Sequence, residues 1–280
     1  MRVDTHTHST ASDSTVSPTA LMDEARAAGL DGIGLTDHDT MAGWDEAAAM
    51  VAQTGVALIR GVEFSTRYHG ITVHMLGYLF DPSDARIREH IAKMRTARVD
   101  RARTMVERIS ADFPLTWADV EEQIGDAQVV GRPHIADAMV AKGFAADRSE
   151  AFERFLKPGG PYFIHYYAPE TTDVIGWINE AHGKAVFAHP AAPQRSRMVP
   201  FAALDEFAAA GLFGVEIDHP ENDGRYIPEL TARAQRLGLA RFGASDYHGA
   251  GKPNRLGEYV TAPEILEDLV AGTYLEVLHE

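Results

Sequence analysis

Short apolar runs alternate with amphipathic stretches along most of the chain. Residues 2–5 read as a first strand. Ser17 then caps a helix with Pro18 at its first position and Gly29 just past its end, the usual asymmetry of helix termini. Residues 32–35 predict a second strand, 41–53 a second helix closed by Gly55, 56–62 a third strand and 71–80 a fourth, with a turn at His69 and Gly70 between the last two. The rhythm resumes with a strand at 185–188, a helix at 201–210, a strand at 214–217, a helix at 222–237 and a strand at 239–243. Strand-then-helix alternation predicts an α/β architecture with parallel strands.

The middle of the chain departs from this rhythm. Residues 83–112 contain neither Gly nor Pro, and Ile87, Ile91, Met94, Ala102, Val106 and Ile109 mark one face of a long amphipathic helix. Shorter helices are expected at 117–124, 133–142 and 149–156, followed by the loop Lys157-Pro158-Gly159-Gly160-Pro161. The pattern divides the chain into a body, 1–99 with 166–280, and a helical insertion, 100–165.

Candidate chemistry collects at strand ends. His6 and His8, in Asp4-Thr5-His6-Thr7-His8, are two residues apart on an extended segment, so both side chains face the same way and can share one metal ion. Asp13 follows where the chain can loop back. The second strand ends in Thr36-Asp37-His38-Asp39, in which either Asp can orient the His38 ring. Glu63 ends the third strand, His74 lies on the fourth, His189 closes the fifth, and Ser245-Asp246-Tyr247-His248 follows the last. His219, after the sixth strand, faces the same edge as a secondary candidate. The C-terminal edge of a parallel barrel is where active sites form. Six His with three carboxylates exceed the needs of one ion.

The motifs DTHTHS, TDHD, GVEFS, VHMLGY, AHP and SDYH, in this order, resemble those of the PHP (polymerase and histidinol phosphatase) family. The resemblance implies a distorted (β/α)7 barrel, with the helical segment as a small inserted domain, and three divalent cations, manganese foremost, with iron or zinc as alternatives. It implies that His6, His8, Glu63 and Asp246 hold one cation, that Asp13, His38 and His248 serve the second, and that Glu63, His74 and His189 serve the third. Asp13, His38 and Asp246 are the candidate catalytic residues. A hydroxide bridging two metals would attack phosphorus, with Asp13 or Asp246 holding the water. Ser14 departs from the Gly that many members carry there.

Gly131-Arg132-Pro133-His134 and the loop at Lys157 resemble the insertion of nucleotide-acting members. That branch implies hydrolysis of the 3′-phosphate of nucleoside 3′,5′-bisphosphates and of short 5′-phosphorylated oligonucleotides. Arg101, Arg103, Arg132, His134 and Lys157 are the expected substrate contacts, since guanidinium meets phosphate as a bidentate fork. Two rivals remain, a histidinol-phosphate or other small phosphomonoester phosphatase and a non-catalytic PHP scaffold.

Charge sharpens the picture. The chain has 26 Lys and Arg against 41 Asp and Glu, a net −15, so the protein as a whole repels nucleic acid and anionic membrane. Three carboxylates and three divalent ions would leave a local +3, and 83–112 carries eight basic against five acidic residues. With no Cys among 280 residues, disulfides and thiolate chemistry are excluded. No apolar run reaches the length of a membrane span and no export signal is evident, so a cytoplasmic enzyme without a stable protein partner is expected.

Overall fold

The computed structural model describes residues 1–125, 127–194 and 197–279. Seven strands form one sheet in sequence order: β1 (Val3–Thr7), β2 (Gly32–Leu35), β3 (Ala57–Tyr68), β4 (Ile71–Tyr78), β5 (Lys184–Phe187), β6 (Gly214–Asp218) and β7 (Ala240–Gly243). The sheet curls into a nearly closed barrel. Thr7 bridges to Tyr247 just past β7, and the His8 N–H donates to the Tyr247 carbonyl at 3.0 Å.

The parallel expectation holds for β1–β2–β3 and β5–β6–β7 and fails at β4, which pairs antiparallel with both β3 and β5. The physical cause is the two-residue turn at His69 and Gly70, both at positive φ (47° and 78°), which joins β3 to β4 as a hairpin. β3 also runs to Tyr68, six residues past the expected end, because its outer half pairs with β4 along its whole length.

Helices α1 (Pro18–Ala27), α2 (Trp44–Ala48), α3 (Val51–Thr54), α8 (Thr171–Glu180), α9 (Ala203–Ala209), α10 (Ile227–Leu237) and α11 (Pro263–Val270) belong to the barrel. The single helix expected at 41–53 is two short ones. Around the sheet, Leu21, Met22, Ile33, Leu58, Phe64, Ile175 and Phe207 form the main core. Leu76, Tyr78, Val186, Phe242, Leu266 and Leu269 form a second, with α11 packed against it. Close packing dictates Gly34, where a Cβ would lie 2.1 Å from the Thr5 carbonyl oxygen.

The middle segment consists of α4 (Ala85–Ile109), α5 (Trp117–Ile124), α6 (Arg132–Ala141) and α7 (Arg148–Ala151), continued by a π-helical turn at Phe152–Leu156. Met105, Ile109, Val120, Ile135, Met139 and Leu156 give it a core of its own. The long helix α4 serves both bodies. Ile87 packs into the barrel core, Ala102 to Ile109 into the helical core, and between them His90, Arg98 and Arg101 are buried. No described helix is long and apolar enough to cross a membrane.

Candidate active site

The nine expected metal ligands converge at one end of the barrel. Nε2 of His6 and Nε2 of His8 lie 3.0 Å apart, each within 3.4 Å of Glu63 Oε2 and Asp246 Oδ1. Asp13 meets His248 Nε2 at 3.3 Å and His38 Nε2 at 3.8 Å. The other Glu63 oxygen, Oε1, lies 2.8 Å from His74 Nδ1 and 3.0 Å from His189 Nε2. Five groups of mutually close donor atoms result among the described residues: His6, His8, Glu63 and Asp246; His8, Asp13, His38 and His248; His38, Glu63 and His74; and, around His219, His6 with Glu216 and Glu221 with Asp246. Glu63 belongs to two of these groups, its Oε2 facing His6, His8 and His38 and its Oε1 facing His74, and His38 faces both Asp13 and Glu63.

Strand geometry explains the convergence. His6 is on β1 and His8 just beyond it. Glu63 is level with His38, to which its backbone bridges. His74 lies mid-strand, yet β4 runs against its neighbours, so its first half is at the same barrel edge, opposite Ser65. Asp39, His189 and Asp246 all adopt positive φ at this edge (48°, 33° and 54°), a strain that non-glycine residues tolerate where the surroundings hold them.

These residues suit divalent cations. Nδ1 of His38 and His74, Nε2 of His248 and Oε2 of Glu63 are buried and make no well-formed hydrogen bond, although each faces an oppositely charged atom at 2.8–3.3 Å. Their lone pairs aim at shared points in space and not at one another, which is the arrangement of ligands. Electrostatics agrees. Burial alone would raise the Glu63 and Asp13 carboxyls, but the facing imidazoles hold both well below the usual range. Burial lowers His248 to about 4 and His38 well below its usual value. The Asp13 group thus sets an anionic carboxylate beside the lowered rings of His38 and His248, whereas the carboxylates around His6 and His8 raise those two rings.

The PHP domain pattern matches residues 4–122. A 3′,5′-nucleoside bisphosphate phosphatase of Chromobacterium violaceum is 31% identical over 260 residues, covering 90% of this chain and 89% of that one. The chain belongs to the PHP family. A 5′-3′ exoribonuclease of Haemophilus influenzae is also 31% identical, over 88% of this chain and 90% of its own. A crystal structure from Bifidobacterium adolescentis, described as a candidate metal-dependent phosphoesterase, superposes with a TM-score of 0.94 at 40% identity, over 97% of this chain and 96% of that one. The PHP protein in hand is a hydrolase; its substrate is taken up below.

Neither Asp37 nor Asp39 orients His38 as expected. Asp37 accepts the Ser9 N–H (2.8 Å), the Ser9 hydroxyl (2.6 Å) and the Ser12 hydroxyl (2.6 Å), which pins the turn carrying Asp13. Asp39 accepts the Ser65 N–H and the Arg98 Nε–H, both at 2.8 Å. Three further supports escaped the sequence. Glu216 lies 2.9 Å from His6 Nδ1 and accepts the His189 N–H at 2.8 Å. Lys252 donates to Asp246 Oδ2 at 2.8 Å, on the oxygen away from His6, His8 and His248. Arg98 reaches Asp39 and the Ser65 hydroxyl. An i, i+4 buried stripe of His90, Met94 and Arg98 on α4 carried a signal for the last. His219 does sit at the cluster, its ring centroid 5.3 Å from that of His189 and its Nε2 3.9 Å from Asp246 Oδ2.

The expected substrate contacts separate into two sets. Arg101 is buried with its guanidinium 4.4 Å from the Tyr166 ring centroid, and its Nε has no hydrogen-bond partner. Arg132 lies between the Phe152 and Phe163 rings and donates to the Leu156 carbonyl. Burial lowers both guanidinium groups, and the positive charge of Arg98 adds to it in each, that of Arg132 in Arg101 as well. No acidic side chain pairs with either among the described residues. His134 is buried, its Nδ1 accepting the Gly131 N–H at 3.0 Å, so one face of the ring closes the start of α6. Arg103 points elsewhere. Two residues after Arg101 it is on the far side of α4, exposed, over the Trp117 ring and 3.8 Å from Glu121. Lys157 is exposed at the end of the π-helical turn and makes no side-chain contact with the cluster.

Proposed function

We propose that the protein is a metal-dependent phosphoesterase that removes the 3′-phosphate from nucleoside 3′,5′-bisphosphates, releasing the 5′-mononucleotide and phosphate, and that it accepts short 5′-phosphorylated oligonucleotides. Three divalent cations, manganese foremost, would be held by His6, His8, Glu63 and Asp246, by Asp13, His38 and His248, and by Glu63, His74 and His189. Bound there, such ions supply Lewis acidity that activates water and neutralises charge developing on phosphoryl oxygens. The chain's own groups set the geometry around that chemistry. Glu216 fixes the His6 ring, Lys252 leaves Asp246 Oδ1 to face His6 and His8, and Asp37 holds the turn that presents Asp13. Asp13 and Asp246 flank His248, each 3.3 Å from one of its nitrogens, which suits them to orient an attacking water.

The observation that carries the substrate reading is a pair of arginines without an acidic ion-pair partner among the described residues, the buried Arg101 and the half-buried Arg132. Arginine remains charged in proteins, so each is a positive charge that burial and the nearby Arg98 disfavour and that no carboxylate among the described residues meets in an ion pair. A second phosphate, held there while the first meets the cations, would neutralise it and fix the scissile group in place. The relatives named for a nucleoside bisphosphate and for RNA support the same substrate class. Phosphate release from adenosine 3′,5′-bisphosphate, histidinol phosphate and p-nitrophenyl phosphate tests the proposal. The bisphosphate should give a kcat/KM at least tenfold above both others. Equal values, or a preference for histidinol phosphate, would overturn it.

A further inference from the structure

Arg148 is the first residue of α7, in the helical segment, yet its guanidinium sits among the loops that carry Asp13 and His248. Its Nε and Nη2 donate to the two Asp137 oxygens at 2.5 and 2.6 Å, a bidentate pair within the segment. The remaining nitrogen, Nη1, donates to the backbone carbonyl of Asp13 at 3.2 Å. The same group passes over Gly251, where a Cβ would lie 2.2 Å from Nη1, so only glycine leaves room for it. These loops already interlock, the Thr15 N–H donating to the His248 carbonyl and the Ala250 N–H to the Thr15 hydroxyl at 2.8 Å. A second tie from the helical segment, the Gln128 N–H on the Ala11 carbonyl at 3.1 Å, reaches the same turn.

We propose that Arg148 is a positioning residue that makes the Asp13, His38 and His248 site depend on the helical segment. The inference rests on the reading of that cluster as a cation site. A carbonyl bonded to a charged guanidinium cannot swing freely, so the Asp13 side chain starts from a fixed backbone and its carboxylate arrives already aimed. The bidentate pair with Asp137 fixes the guanidinium in turn, and Asp137 lies on α6, packed into the segment's own core. The barrel supplies the ligands, and the segment supplies the rigidity of one of them. The helical segment therefore does more than select substrate.

Two variants test this. Arg148→Met removes the charge and keeps much of the volume; Gly251→Ala displaces the guanidinium and leaves the charge. In each, calorimetric titration of the metal-free protein with Mn²⁺ should show the weakest binding step weakened about 10- to 100-fold, the range for loss of a group that orients a ligand, with the other steps unchanged. Without any metal present, amide exchange at Ser12–Ser14 should quicken at least tenfold while β1 stays protected. Wild-type protein that binds no Mn²⁺ would refute the cation reading itself. Wild-type affinities retained at every step in both variants, or equal weakening at all steps, would refute the role of Arg148. So would unchanged exchange at the turn.

Discussion

Glu216 approaches Nδ1 of His6 to 2.9 Å from the side of the ring opposite Glu63 and Asp246. The contact fixes which nitrogen of His6 faces the cluster and makes that nitrogen more basic. Its second oxygen holds the His189 N–H at 2.8 Å, so one buried carboxylate braces candidate ligands from β1 and from the end of β5. Glu216→Gln keeps the shape and removes the charge. Its metal affinity, read by competition with a chelator, should fall about 10- to 100-fold. An unchanged affinity would make Glu216 a packing residue only.

The donor groups built on the nine expected ligands, three of the five at this edge, hold more ligands than one ion can use. Metal analysis of the purified protein should find two or more divalent ions per chain, and chelation should abolish phosphate release. His74→Ala and His189→Ala each remove a donor from the Glu63 Oε1 side. They should lower the metal content by up to one ion and cut activity severely. A content of one ion, with both variants fully active, would contradict the three-group reading.

Much of this site was legible because metal ligands must be His or carboxylate and barrel strands deliver them to one edge. His6, His8, Glu63, His189 and Asp246 are found from strand ends alone. His74 is explained only once β4 is seen to run backwards, a direction carried by the two-residue turn at His69 and Gly70 against the strand-then-helix rhythm of the rest of the chain. The supporting shell was less visible. Glu216 lies inside a strand that reads as an ordinary buried run, and its partners are 210 and 27 residues away. Arg101 and Arg103 look alike in sequence, and helix phase alone separates a buried guanidinium from an exposed one. Two barrel helices, α8 and α11, bear the usual marks (Val174, Ile175 and Ile178 in one, Pro263, Leu266 and Leu269 in the other) and lie outside the sequence reading.

The pH dependence of metal binding follows from the rings that carry protons when no metal is present. Burial lowers His6, but Glu216, Glu63 and Asp246 outweigh it and raise the ring well above its usual range; His8 is raised too, by Asp246 and Glu63 against burial. A cation must displace these protons. Affinity should therefore fall as pH drops from 8 to 6, by up to about tenfold per unit for each proton released. Activity should rise from acid toward mildly alkaline pH. For the metal-free protein the sign is different. A raised His6 contributes stability that is complete below the ordinary imidazole value and lost as pH rises through the folded one, so chelated protein should melt earlier at alkaline pH. Melting curves with and without chelator, beside Mn²⁺ titrations at both pH values, check the set. Binding without proton release would overturn it.

The arginine pair gives the sharpest test of substrate choice. Arg132 also donates to the Leu156 carbonyl, so removing it disturbs the fold as well as any ligand. Arg101 is the cleaner probe, because its Nε has no partner and its guanidinium rests on Tyr166. Losing one charge-assisted contact costs about 1.5–3 kcal/mol, roughly ten- to a hundred-fold. Arg101→Met should lower kcat/KM for a nucleoside 3′,5′-bisphosphate by that factor and leave p-nitrophenyl phosphate nearly untouched, since that ester has no second phosphate to hold. Equal losses on both would place Arg101 at the reacting phosphate or in the support of the fold. No loss on either would leave the buried charge without a ligand, and the bisphosphate reading would fall with it.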